Sequence, residues 1–354
     1  MYNRSNLSYI ERILSMKKEF GTLKNGQKAY LYEISWGQIK AQISDYGATL
    51  VRLYVPDSKG ELADVVLGFD DAAQYDHHGA FFGAVVGRTA NRIGKGAFKI
   101  GDKTVQMPIN DNSNNLHSGP ESYGHRLWNL EKHTQNSIRF SLLSYDGDQG
   151  IPGNAEIHVT YTLEYPGALR ITYDAISDKD TVFNMTNHAY FNMAGHDHPE
   201  KAMDQVLMMT ARFYNVADAE SIPTGELRSV EGTPMDFRQP KAIGRDLGED
   251  YPCFKLQGGY DHNFEAYADP CAILSDPESG RSMSVSTDCP GIQFYSGNFL
   301  CGEKGKYGVS YTYRGGVALE TQYYPDSVNH PEWPQPFCKA GQPYHSETVY
   351  KFQW

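Results

Sequence analysis

From Lys18 onward the chain is written in short alternating or apolar runs, each closed by Gly, Pro, Asn or Asp. No stretch sustains the 3.6-residue period of a long amphipathic helix, so the pattern points to strands. Gln27 to Trp36 and Gln38 to Ile43 read as two strands with Gly37 at the turn, and Tyr46 to Val55 as a third ending at Pro56-Asp57. Val65–Leu67 and Gly83–Gly87 are compact apolar runs. Further strands are predicted at Ser137–Tyr145, Glu156–Tyr165, Ala168–Ile176, Ser282–Thr287, Gly291–Tyr295, Val317–Thr321 and His345–Phe352. Asp71 to Tyr75 predicts one helical turn, 106–126 an Asn-rich loop, and 200–260 an irregular middle carrying Pro223, Pro234 and Pro240. The 354 residues suit two average domains or one large β domain, and neither a repeat nor a low-complexity linker divides them. The expectation is one all-β, mostly antiparallel sandwich over 18–354, with residues 1–17 as an N-terminal extension.

Charge and composition narrow the function. The formal charge of -11 argues against a nucleic-acid partner, which calls for a basic stripe, and gives no general attraction for phosphorylated substrates. The 25 tyrosines suit strands and surfaces that meet polar ligands with an apolar face. The five cysteines (Cys253, Cys271, Cys289, Cys301 and Cys338) are odd in number and form no C-x-x-C pair. Reduced thiols in a cytoplasm are expected, without a structural zinc or a disulfide framework. No segment approaches the ~20 apolar residues of a membrane span, and the N-terminus lacks a secretory h-region. Protein partners are left open.

Several chemistries fail on their motifs. Gly94-Lys95 lacks the earlier Gly and the following Ser or Thr of a phosphate loop, and neither H-E-x-x-H nor G-x-S-x-G occurs. His77-His78 and His196-Asp197-His198 have metal-like spacing but flank turns, so they are expected to be solvated surface histidines. No metal site is assigned.

Five stretches carry polar side chains where a plain β-protein would not need them. In Phe183 to Gly195, alternation would put Asn184, Thr186, His188, Tyr190 and Asn192 on one face, opposite Met185, Asn187, Ala189 and Phe191. That face could line a wet cleft, or be a buried strand whose polar groups pair internally. In Gly87 to Ile93, Arg92 offers fixed donors beside the Asn91 amide, although it could instead pair with a carboxylate. His117 could enter a pocket from its loop or stand exposed. Asp261 could accept two hydroxyls or bond its own turn. Glu320 follows an apolar strand, where a carboxylate is costly unless paired or used.

Together these stretches resemble the galactose mutarotase, or aldose 1-epimerase, family. The resemblance rests on GRTANRIGKGAF, NNLHSGP, NMTNHAYFN, GYDHNF, GIQFYSGNFL and ALETQYYPDSVNHPEWP, in that order, and covers about Lys18 to the end. It implies the large β-sandwich of that family, a supersandwich, with a shallow cleft for an aldohexose. By motif position Glu320 would be the general base and His188 the general acid. Asn91, Arg92, His117, Tyr190, Asp261 and Gln293 would bind the sugar. The implied partner is a small-molecule aldose, and the implied chemistry needs no cofactor. The base would take the C1 hydroxyl proton while the acid protonates the ring oxygen. Burial is expected to raise the Glu320 pKa, and a nearby carboxylate to raise that of His188. Two alternatives remain: an epimerase of a phosphorylated hexose, and a non-catalytic sugar-binding or sensing protein.

Overall fold

The alternating runs fold as strands in the computed structural model, which describes residues 17–354. Most of the expected extension, residues 1–16, lies outside the described residues, but Lys17 is already the first residue of a strand. Lys17–Thr22, Lys28–Trp36, Ile39–Ser44, Leu50–Pro56 and Leu62–Asp64 form a five-stranded antiparallel meander in chain order. The expected run from Tyr46 starts as a strand only at Leu50, because Gly47 (φ 69°) and Ala48 (φ 45°) turn the chain first.

A nine-stranded sheet forms the back of the sandwich. Its order is Asn129–His133, Ser137–Ser144, Ala155–Glu164, Ala168–Ser177, Tyr344–Gln353, Ser282–Thr287, Ala272–Ser275, Val206–Met209 and Lys241–Ala242. In Ala155–Glu164, Ile157, Val159, Tyr161 and Leu163 point inward and are fully buried, while the residues between them are exposed or half-buried. Each such aliphatic side chain contributes ~1.5–3 kcal/mol by leaving water.

A six-stranded sheet faces it, ordered Tyr190–Phe191, Val317–Gln322, Gly291–Tyr295, Asp261–Glu265, Phe213–Ala217 and Pro223–Ser229. The two sheets share one core. Phe191 packs on Tyr350 with ring centroids 5.1 Å apart, and the Tyr350 hydroxyl donates to the Leu319 carbonyl at 3.2 Å. The inward face of the smaller sheet carries Phe264, Ile292, Phe294 and Leu319, all in that core.

The other face of the smaller sheet is covered too. Gly291–Tyr295 and Val317–Gln322 are buried along their whole length. Register aligns Gln293 with Glu320, Tyr295 with Ala318, Asp261 with Tyr295, and Tyr190 with Ala318. With side chains alternating, Asp261, Gln293, Tyr295, Glu320 and Tyr190 therefore share the face away from the core. Two small pairings help cover this face: Val85–Val86 with Thr186–Asn187, and Arg92–Ile93 with Asn115–Leu116.

Three sequence expectations change. Residues 183–195 are not one strand. Thr186–Asn187 pairs with Val85–Val86, whereas Tyr190–Phe191 joins the six-stranded sheet. Crossing between two sheets buries every residue from 181 to 193, so each of the two readings holds in part: His188 and Tyr190 of the predicted polar face line a cavity, while Asn184 and Asn192 pair internally. Asn187, placed on the apolar face, donates to the Gly83 carbonyl at 2.7 Å and the Tyr161 hydroxyl at 3.1 Å. The expected irregular middle contributes strands to both sheets. Pro223 opens the edge strand of the six-stranded sheet, a position that tolerates its missing N–H. The predicted loop over 106–126 contains the strand Asn115–Leu116, too short to leave an alternation in the sequence.

Candidate active site

A cavity of about 270 Å³ opens on the outer face of the six-stranded sheet. All eight residues singled out from the sequence line it: Asn91, Arg92, His117, His188, Tyr190, Asp261, Gln293 and Glu320.

Glu320 sits in the strand Val317–Gln322 and is 2 % exposed. Its Oε1 lies 3.7 Å from His188 Nε2. Its Oε2 is buried without a hydrogen-bond partner among the described residues, as is His188 Nδ1. Buried polar atoms are nearly always paired, so two unpartnered ones on neighbouring residues that both line one cavity are unusual for a purely structural role.

The backbone fixes His188 between the two sheets. Its N–H donates to the Ala84 carbonyl and its carbonyl accepts from Gly83 N–H, both at 2.9 Å. Its ring is sandwiched by aromatics, with Tyr190 stacked at 5.1 Å and Phe81 at 6.1 Å, and His117 meets it edge-on at 5.3 Å. Burial in this aromatic cage pushes the His188 pKa down to about 4. The sequence expectation that a carboxylate would raise it is reversed: desolvation dominates, opposed only by a backbone hydrogen bond. Burial pushes Glu320 well above its ordinary 4.5; the Asp261 charge adds to this and the Arg92 guanidinium opposes it.

Around the pair, donors and acceptors are held in place. His117 Nδ1 accepts from Asn91 N–H at 3.2 Å, so the neutral ring carries its proton on Nε2, free to donate. Burial holds the His117 pKa well below 6.5, with the charges of His188 and Arg92 adding to the effect. Asn91 takes the left-handed conformation at φ 58°, and its Oδ1 accepts from Arg92 N–H at 2.9 Å. Arg92 does both things weighed from the sequence: its Nε donates to Asp111 Oδ2 at 2.7 Å while the side chain lines the cavity. Asp261 is in a strand rather than a self-bonded turn, and its Oδ1 accepts from Gln293 Nε2 at 2.7 Å. Burial raises the Asp261 pKa against the pull of Arg92.

Sequence reasoning missed other lining residues. Tyr295 was derivable, two positions from Gln293 on the same face. Phe81 and Phe299 sit in loops, and Glu303 opens the two-residue strand Glu303–Lys304, too short for a periodic signal. His78, expected in solvent, is half-buried and lines the cavity; its ring stacks on Phe82 at 5.9 Å. His196, also expected in solvent, is 5 % exposed and its Nδ1 is 3.1 Å from the Tyr311 hydroxyl. Both turns fold back against aromatic clusters, which their local sequence does not reveal. His77 and His198 are exposed as expected.

Known proteins match this chain over most of its length. The sequence model of the family described as Aldose 1-epimerase matches residues 30–351. Galactose mutarotase of Mus musculus is 40% identical over 339 residues, covering 94% of this chain and 97% of that protein. Aldose 1-epimerase of Haemophilus influenzae is 38% identical over 321 residues, covering 89% of this chain and 93% of that protein. Among solved structures, an aldose epimerase homologue from C. elegans superposes with a TM-score of 0.85 at 32% identity, covering 92% of this chain and 99% of that one. The chain belongs to the aldose 1-epimerase family.

Proposed function

We propose that Glu320 and His188 interconvert the α and β anomers of a free aldohexose, such as galactose or glucose, by opening and reclosing its ring. As a member of its family the enzyme is an isomerase. The observation that carries the catalytic assignment is the pair itself: an acid and an imidazole 3.7 Å apart, both buried and both lining one cavity.

In the ring-opening step Glu320 takes the C1 hydroxyl proton and His188 gives a proton to the ring oxygen. The C1–O5 bond breaks and leaves an aldehyde. Rotation about C1–C2 presents the other carbonyl face, and closure returns both protons. The pair needs one proton in total. A carboxylate with an imidazolium and a carboxylic acid with a neutral imidazole hold the same number. Burial alone favours the neutral arrangement; sugar hydroxyls donating to Glu320 favour the charged one, from which opening starts. His117 and Arg92 donate to sugar oxygens, Asn91 and Gln293 add amides, and Asp261 accepts hydroxyls. Tyr190 offers an apolar face to sugar C–H groups.

The five thiols are free, four of them buried, which suits a reducing compartment, and we place the enzyme in the cytoplasm. Among the described residues no helix is long and apolar enough to cross a membrane. Neither a nucleic acid nor a membrane enters this reading.

Polarimetry of freshly dissolved α-D-galactose tests the roles. Glu320→Gln should fold and lose ~10²–10⁴-fold in kcat. Undiminished mutarotation by this variant would remove Glu320 as the base. A wild-type trace no faster than buffer, with tight sugar binding by calorimetry, would favour a sensor instead.

A further inference from the structure

The cavity has a second polar end that the reaction does not use. The segment after the helix Ala72–His77 brings in His78, Gly79 and Ala80. The loop between Gly291–Tyr295 and Val317–Gln322 brings in Phe299, Leu300 and Glu303. The two segments meet where His78 Nε2 stands 3.8 Å from Glu303 Oε1.

Glu303 is unusual there. Its side chain is only 9% exposed, and its carboxylate accepts the Cys301 N–H at 3.0 and 3.2 Å. Among the described residues no Lys or Arg lies within 4.0 Å of it. Burial holds the His78 pKa below its ordinary 6.5 despite the pull of Glu303, so at neutral pH the imidazole offsets little of the charge. The rest of the lining gives no relief. Its carboxyl groups are Asp261, Glu303 and Glu320, and among the described residues its one Lys or Arg is Arg92, already paired with Asp111.

We propose that Glu303 sets the charge preference of this cavity, turning away aldoses that carry an anion at C6 and admitting neutral or cationic ones. The proposal rests on the reading of Glu320 and His188 given above. The proposal sets C1 and the ring oxygen between that pair and the C4–C6 edge of a hexopyranose toward Glu303, which lines the same cavity. An anion there meets a carboxylate that no Lys or Arg within 4.0 Å offsets among the described residues, and like charges brought together at a binding surface discriminate strongly. A C6 ammonium would find an acceptor instead.

Three sugars that differ only at C6 test this: 6-amino-6-deoxyglucose, glucose and glucose 6-phosphate. Their anomer exchange is followed by NMR at equilibrium, with the spontaneous rate subtracted. The wild type should turn over glucose at least ~100-fold more efficiently than glucose 6-phosphate, and the amino sugar no worse than glucose. Glu303→Gln and Glu303→Thr should each shrink the glucose to glucose 6-phosphate ratio of kcat/KM about tenfold or more. A wild type equally active on both sugars would overturn the proposal. So would an unchanged ratio in either variant that melts like the wild type. A wild type inactive on these sugars and on galactose would instead remove the underlying reading of Glu320 and His188.

Discussion

Between its two titrations the Glu320–His188 pair holds a single proton, and that window sets when the enzyme can work. Burial lowers His188 to about 4 and raises Glu320 well above 4.5, so the window opens near the lower value and extends past the usual carboxylate range. Below it His188 takes a second proton and no base remains for the C1 hydroxyl. Above it the pair has lost its proton and none is left for the ring oxygen. The profile of kcat/KM against pH should therefore keep its acid limb near 4, with the alkaline limb set by the raised Glu320. Polarimetry across pH, with buffer catalysis subtracted, measures it. An acid limb centred at 6.5, the ordinary histidine value, would contradict the caged state of His188. Residue chemistry was partly legible in the sequence. Glu320 stood out because an acid inside an apolar run needs a use, whereas His117, on a short loop, could be placed only through the family resemblance.

Strands and loops carry these side chains to one place, and one buried ion pair fixes the loop that rims the cavity. Lys306, in the loop that also bears Glu303, is fully buried. Its Nζ donates to Asp64 Oδ2, to the Val51 carbonyl at 2.9 Å and to the Val66 carbonyl at 2.7 Å. The loop is thereby tied to the five-stranded meander. Burial lowers the Lys306 pKa to about 8, while the Asp64 charge works against that fall. Lys306→Met would strand the Asp64 carboxylate and should lower unfolding free energy by ~3–5 kcal/mol, read by urea denaturation at pH 7. A loss below ~1 kcal/mol would show that the pair contributes no more than a surface contact. Elements with sustained alternation, such as Ala155–Glu164, were readable because period 2 survives in their sequence. Two-residue pairings such as Val85–Val86 with Thr186–Asn187 were not, since nothing that short can alternate. The cavity depends on those pairings, so the sequence foretold the sandwich better than the wall of its site.

At the scale of the whole molecule the sandwich sets two faces of one sheet to different tasks. Phe264, Ile292, Phe294 and Leu319 glue the six-stranded sheet to its nine-stranded partner, while Asp261, Gln293 and Glu320 line the cavity from the opposite face. The rigid core is what can hold a carboxyl group and an imidazole in a fixed relation despite their unfavourable burial. The central claim is that both meet the C1–O5 unit of one sugar, and a crystal structure of the Glu320→Gln variant with galactose tests it most directly. The account predicts O1 within about 3.2 Å of the introduced side-chain amide and the ring oxygen within about 3.2 Å of His188 Nε2. A sugar bound with C1 turned toward Glu303, or touching only one member of the pair, would contradict it.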